Sequence, residues 1–229
     1  MTTLFISDLH LDDARPQLVR AFEELLAGDA RAASALYILG DLFESYIGDD
    51  DDAILPARVA TALRALCDSG VPVFFLHGNR DFLLGAEYAK RAGMTLLPDP
   101  TIIELRDQRT LLMHGDTLCI DDVEYQKFRA QVRDPQWQRN FLAKPLAQRR
   151  TFAAQARDAS RLHTSSAKPE IMDVNQSAAV AAMRTHGVRR LIHGHTHRPA
   201  THRLDLDGRA AERIVLGDWY EQSSVFAVA

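Results

Sequence analysis

The stretch Leu191-Ile192-His193-Gly194-His195-Thr196-His197-Arg198-Pro199 decides how the chain is read. Two aliphatic residues run into a loop with histidines at alternate positions, and a proline, which fixes φ and has no backbone donor, ends it. In extended backbone, residues two apart point the same way, so His195 and His197 are expected to reach one point. Gly194 removes a side chain where the backbone must turn or approach something closely. Neutral imidazoles presented together are a frequent metal-binding arrangement. Taken alone, the loop reads equally well as surface histidines.

The same design recurs towards the N-terminus. Thr2 to Ile6 is an apolar run that ends in Ser7-Asp8-Leu9-His10. Ala35 to Leu39 ends in Gly40-Asp41, Val71 to Leu76 in His77-Gly78-Asn79-Arg80-Asp81, and Thr110 to Met113 in His114-Gly115-Asp116. Short apolar runs of this kind suit buried strands. Between the first three lie helical periodicities, from about Arg15 to Ala27 and from about Ala53 to Asp68, closed by Gly28 and Gly70. This alternation indicates βαβ units and a parallel sheet, and the pair Thr101–Leu105 and Thr110–Met113 reads as a hairpin. The tail segments Ala200–Leu206, Arg213–Leu216 and Val225–Val228 supply closing strands. The four aspartates Asp49 to Asp52 read as a solvated loop or as helix N-terminal charge.

The chain has 229 residues, 46% hydrophobic and 25% charged, which fits one large soluble domain or a domain with an insertion. A net charge of −4 argues against general nucleic-acid binding. Cys67 and Cys119 stand in no metal-type spacing and read as cytosolic thiols. No window has the length or purity of a membrane span. The start, Met1 to Ile6, lacks the basic region and cleavage site of a secretion signal, so any membrane contact is expected from the cytosolic surface.

Between Asp121 and Ile171 the pattern changes to helix broken by Pro135 and Pro145. From Lys127 to Lys168 there are ten Lys or Arg against two acids, interleaved with Tyr125, Phe128, Trp137, Phe141, Leu142, Leu146 and Phe152. This is a basic, amphipathic insertion. The expected organisation is a core of residues 1–120 and 172–229 and an inserted lid of residues 121–171. After it, Val174 to Thr185 reads as an alanine-rich helix.

Asp8, His10, Asp41, Asn79, His114, His195 and His197 each lie just beyond an expected strand, the edge at which open α/β sheets build their sites. Carboxylate and amide oxygens mixed with imidazoles suit Mn²⁺, Fe²⁺ or Zn²⁺ better than Ca²⁺, and the lack of thiolate argues against a structural zinc site. Seven ligands are too many for one ordinary catalytic ion. Two ions about 3.5–4 Å apart that share a carboxylate would use them all.

Asp8-Leu9-His10, Gly40-Asp41, Gly78-Asn79, His114-Gly115-Asp116 and Gly194-His195-Thr196-His197 resemble the five motifs of the calcineurin-like metallophosphoesterases. Within them the chain is more similar to the UDP-2,3-diacylglucosamine pyrophosphatases of the lipid A pathway. The runs that carry this are Tyr37 to Glu44, His77 to Leu83, Met113 to Cys119, Ile171 to Asn175 and Ile192 to Pro199. The resemblance implies a four-layer αββα sandwich with a helical lid. It implies two Mn²⁺ ions, one on Asp8, His10 and His197, the other on Asn79, His114 and His195, with Asp41 between them. It implies substrate contacts from Asn79, Arg80, Asp122, Ser160, Thr164, His195 and a lid lysine, whose register falls on Ala167 with Lys168 one residue later. It gives Asp41, Arg80 and His195 catalytic roles, UDP-2,3-diacylglucosamine as substrate, and a place on the cytoplasmic face of the inner membrane. Many members of the superfamily carry histidine after the Gly-Asn pair, where it protonates an alkoxide. Arg80 is always charged and cannot, which favours a phosphate leaving group. The alternatives are a nuclease or cyclic-nucleotide phosphodiesterase of the same superfamily, or a binding module that lost its chemistry. Arg80 and the apolar insertion disfavour the former, and seven filled ligand positions disfavour the latter.

Overall fold

Alternation along the strands explains the layers. In β1 (Thr2–Ile6), Leu4 and Ile6 pack with the helices while Phe5 points to the opposite face. In β2 (Ala33–Ile38), Leu36 and Ile38 do the former and Tyr37 the latter. Strands buried on both faces read as unbroken apolar runs, which is why these stand out in the sequence. β1, β2, β3 (Val73–Phe75) and β4 (Thr95–Leu96) are parallel neighbours. A second sheet holds β5 (Thr101–Leu105), β6 (Gln108–Met113), β7 (Arg190–His193), β8 (Ala200–Leu206) and β9 (Arg209–Val215) in the order β5-β6-β7-β9-β8. β10 (Phe226–Val228) returns to the first sheet, antiparallel to β1. The β5–β6 hairpin is antiparallel as expected, whereas β6, β7 and β9 run parallel.

The sheets face each other across Phe5, Leu39, Leu76, Leu112, Ile192 and Ile214. Helices α1 (Pro16–Ala27), α2 (Ile54–Asp68) and α3 (Ala86–Ala92) cover the outer face of the first sheet, and Phe22, Val59, Leu63 and Tyr88 fill that layer. A later helix, Gln176–His186, covers the second sheet through Ala179 and Met183. The result is the four-layer αββα sandwich. This computed structural model describes residues 2–166, 171–220 and 223–229, with backbone alone at 163–166.

Three inserted helices precede that last one: α4 (Val123–Val132), α5 (Pro135–Leu142) and α6 (Leu146–Ser166), so the Gln176–His186 helix is α7. The prolines set their starts. Pro135 occupies the first turn of α5, where its missing N–H costs nothing, behind the Asp134 cap, and Pro145 stands immediately before α6. Asn175 caps α7 by accepting from the N–H groups of Ser177 and Ala178, which moves its start to Gln176.

Within the aspartate run Asp50 and Asp52 are exposed, as a solvated loop would have them, but each residue is tied to another element. Asp49 accepts from the N–H groups of Gly85, Glu87 and Tyr88, so it caps α3 rather than the helix that follows it in sequence. Asp50 pairs with Arg149, and Asp51 and Asp52 with Arg150, at the root of α6.

Candidate metal centre

All seven expected ligands gather at one edge of the sandwich. Asp8, His10, Asp41 and Asn79 follow strands of the first sheet; His114, His195 and His197 follow strands of the second. Five of them have left-handed backbone: Asp8 (φ 56°), His10 (48°), Asp41 (54°), His195 (70°) and His197 (54°). The other non-glycine residues of this kind among those described, Arg106, Asp107 and Asp207, sit in hairpin turns. Such backbone costs roughly 1 kcal/mol or more per residue and concentrates at functional sites. It also corrects the expectation for the opening loop. His195 and His197 do not converge through extended backbone; the two left-handed turns send them to opposite ends of the cluster.

At one end, His10 Nε2 and His197 Nε2 stand 3.2 Å apart, and Asp8 Oδ1 lies 3.4 Å from His197 Nε2. His10 Nδ1 faces Glu44 Oε2 at 3.1 Å, and His197 Nδ1 faces Asp218 Oδ2 at 2.9 Å. A ring nitrogen that faces a carboxylate carries the proton, so the opposite nitrogen presents its lone pair. Two imidazole lone pairs and a carboxylate oxygen therefore point at one place. The Asp8 Oδ1 atom is buried with no hydrogen-bond partner, while Oδ2 accepts from Ser7 Oγ and the His195 N–H. Burial opposes ionisation of Asp8, but the surrounding imidazoles of His197, His114 and His10 hold its carboxyl well below the usual range.

At the other end, Asn79 Oδ1 lies 2.9 Å from both His114 Nε2 and His195 Nδ1. His114 Nδ1 donates to the Leu39 carbonyl at 2.8 Å, so a proton or a cation must stand between its Nε2 and the Asn79 oxygen. The field asks for positive charge there. Burial lowers the His114 pKa, yet Asp41, Asp8 and Asp116 outweigh it and lift it to about 9. His195, pushed down to about 4 by burial and by His114, stays neutral. Asp41 spans the two ends, with Oδ2 3.8 Å from His10 Nε2 and Oδ1 3.8 Å from His114 Nε2. Orphaned lone pairs, mixed nitrogen and oxygen donors and one spanning carboxylate fit a pair of divalent cations.

Beside the cluster lies a cavity of about 320 Å³ between the core and the inserted helices. Asn79, Arg80, Glu44 and Arg157 form its polar end; Phe82, Trp137, Phe141 and Phe152 form much of the rest. Arg80 Nε and Arg157 Nε and Nη1 are buried there without hydrogen-bond partners, which suits an anion. Ser160 lines this cavity and accepts from Arg80 Nη2 at 3.4 Å. Asp122 caps α4, accepting from the Tyr125 N–H. Thr164 falls where only backbone is described, and Ala167 and Lys168 lie outside the described residues.

The calcineurin-like phosphoesterase model matches residues 1–199. The chain belongs to this family. A UDP-2,3-diacylglucosamine hydrolase of Stenotrophomonas maltophilia (strain K279a) is 55% identical over 235 residues, covering 100% of this chain and 95% of its own. The enzyme of that name from Xanthomonas axonopodis pv. citri (strain 306) is 56% identical with the same coverage. Among solved structures, vacuolar protein sorting 29 from Cryptosporidium parvum shares the fold, with a TM-score of 0.51 and 14% identity over 99% of this chain and 84% of that one. This phosphoesterase is thus a metal-dependent hydrolase.

Several residues that build the phosphoesterase site were not singled out from the sequence. Asp81 accepts from the N–H groups of Gly78, Leu42 and Asp41, stitching two ligand loops together, and burial with the Asp41 charge lifts its pKa to about 7. Glu44 and Asp218 orient His10 and His197. Asp116 accepts from Tyr125 Oη and Arg129 Nε, each at 2.7 Å, fastening α4 beside His114. Glu44 and Asp116 sit inside recognisable motifs, but nothing local says which partner each has. His193 is buried, and its Nδ1 bonds the Gly194 carbonyl while its Nε2 faces Arg213, so it props the loop from beneath. The motif glycines make room. A Cβ at Gly78 would overlap the Asp41 carboxylate, and one at Gly194 that of Asp8.

Proposed function

We propose that this enzyme hydrolyses the pyrophosphate bond of UDP-2,3-diacylglucosamine, yielding 2,3-diacylglucosamine 1-phosphate and UMP for lipid A synthesis. The observation that carries the reading is the cavity, which joins unpaired guanidinium donors beside the metal centre to an aromatic chamber. A diphosphate with acyl chains attached has that chemistry, and the names of the two relatives agree with it. The segment 121–171 acts as the lid over that chamber.

The cations are two Mn²⁺, one on Asp8, His10 and His197, the other on Asn79, His114 and His195, with Asp41 shared. When bound, they supply a water ionised near neutral pH and positive charge towards the phosphoryl oxygens. Arg80 holds the diphosphate with a fixed guanidinium and donates no proton, since a phosphate leaves without one. Asn79, His195, Asp122, Ser160, Thr164 and Lys168 complete the substrate contacts, and Trp137, Phe141 and Phe152 enclose acyl chains. Water attacks the α phosphorus. Hydrolysis in ¹⁸O-water with Mn²⁺ is expected to place the label in UMP. Label in the sugar phosphate overturns the direction of attack, and no cleavage of this substrate overturns the reading.

The protein works at the cytoplasmic face of the inner membrane. Among the described residues, no helix is long and apolar enough to cross a membrane. The lid's charge count overstates its free basic surface, because Arg129, Arg149, Arg150 and Arg157 are paired with acids. Contact with lipid therefore falls to the exposed Leu142 and Leu162 and the outward cations Arg139 and Lys144. Binding to anionic vesicles is expected at low salt and is expected to weaken as salt rises; absence of binding at low salt overturns this part.

A further inference from the structure

We infer that Glu44 is a positioning residue that couples the lid to the metal centre, so that cation binding and lid docking strengthen each other. Glu44 is buried, at 8% exposure, although it is charged and lies on no strand. Its two oxygens divide the work. Oε2 faces His10 Nδ1 at 3.1 Å and Arg15 Nη2 at 3.2 Å, while Oε1 takes the Arg157 guanidinium from α6. Arg15 in turn donates to the His10 carbonyl at 2.8 Å, so the His10 side chain and backbone are held by one network.

His10 Nδ1 must keep its proton for Nε2 to serve as a ligand, and the negative charge of Glu44 keeps it there. That same charge anchors the middle of the longest inserted helix. Two guanidinium groups, those of Arg15 and Arg157, pair with the carboxylate inside the fold. A cation at His10 fixes the ring and thereby Glu44, which presents a settled acceptor to Arg157. In reverse, a docked α6 holds Glu44 against His10. Linkage makes the coupling equal in both directions.

The inference rests on the metal-centre part of the function proposed above, but its test needs no substrate. Mn²⁺ is titrated calorimetrically into the full chain and into Arg157→Met, Glu44→Gln, the double variant, and Arg150→Met, which removes the ion pairs with Asp51 and Asp52 at the root of the same helix. Glu44→Gln is expected to weaken Mn²⁺ roughly tenfold or more. Arg157→Met, which leaves every ligand and Glu44 itself in place, is expected to weaken it roughly fivefold. Arg150→Met is expected to leave the affinity within about twofold, and the double variant to match Glu44→Gln alone. Hydrogen exchange in residues 153–160 is expected to slow on adding Mn²⁺ to the wild type and not to the Arg157→Met protein. Wild-type Mn²⁺ affinity in Arg157→Met, or additive losses in the double variant, overturns the coupling. So does equal slowing of exchange in both proteins. Failure of the wild type to cleave the acylated nucleotide would remove the substrate assignment and leave these readings intact.

Discussion

Gly194 and Asp8 show how one atom of side chain decides the centre. The Gly194 backbone passes so close to the Asp8 carboxylate that a methyl group cannot enter without moving a ligand. Gly194→Ala is therefore expected to weaken Mn²⁺ binding at least about tenfold and to cut turnover about a hundredfold, read by metal titration and steady-state kinetics. Glu44 gives a second test at this scale. Its pKa in the folded, metal-free protein is about 2 against 4.5 for the unfolded chain. For an acid shifted down, the stabilisation is present above pH 4.5 and is lost as pH falls towards 2. Denaturant unfolding of the metal-free protein is expected to lose up to about 1.4 kcal/mol per pH unit in that window from this residue. The Glu44→Gln protein is expected to show a correspondingly flatter dependence.

At the scale of the element, α6 is held at its root and at its middle by different means. Arg149, only 2% exposed, donates to the carbonyls of Ile47 and Lys144 and pairs with Asp50. Arg150 reaches Asp51 and Asp52 from an exposed position. Removing the first takes the buried donor from the Ile47 carbonyl; removing the second removes a screened surface pair. Arg149→Met is expected to cost about 2–3 kcal/mol of stability, and Arg150→Met less than about 1 kcal/mol, by equilibrium unfolding. Equal effects would show that the root is held by packing rather than by these hydrogen bonds. The aromatic residues of α5 and α6 pack on one another: Trp137 and Phe141 stack at 4.9 Å, and Phe141 meets Phe152 at 5.2 Å. Together they form one wall of the chamber beside the metal centre.

For the whole molecule, the centre is a seam. Four of the proposed ligands come from one sheet and three from the other, so a cation bound there would tie the two halves of the sandwich. A ligand that binds only the folded state stabilises it by about 2.7 kcal/mol at a hundred times its Kd. In a chain of this size that raises Tm by roughly 5–10 °C. Mn²⁺ is expected to produce that rise per site filled and excess chelator to reverse it, in thermal melts at fixed pH. A chelator-insensitive Tm would mean that the sheets are joined by the Phe5, Leu112 and Ile192 layer alone.

The sequence alone determined the strands other than the two-residue β4, the polar residues at their ends and the presence of inserted helices. Those signals are local: a strand buried on both faces must be apolar throughout, and the residue after it is polar only if something polar awaits it. It singled out the candidate donors too, since Asp, Asn and His stand at fixed places in short motifs, and the fold gathers them at one edge. Only the tertiary structure decided that left-handed backbone at His195 and His197 aims them, that Asp49 caps a helix beyond the next one, and that Arg129, Arg149, Arg150 and Arg157 of the insertion are spent on core acids. It alone decided that Glu44, Asp81, Asp116 and Asp218 stand behind the ligands. Each of those facts is a contact between segments distant in the chain, and a side chain's local sequence records its chemistry but not the partner that folding brings to it.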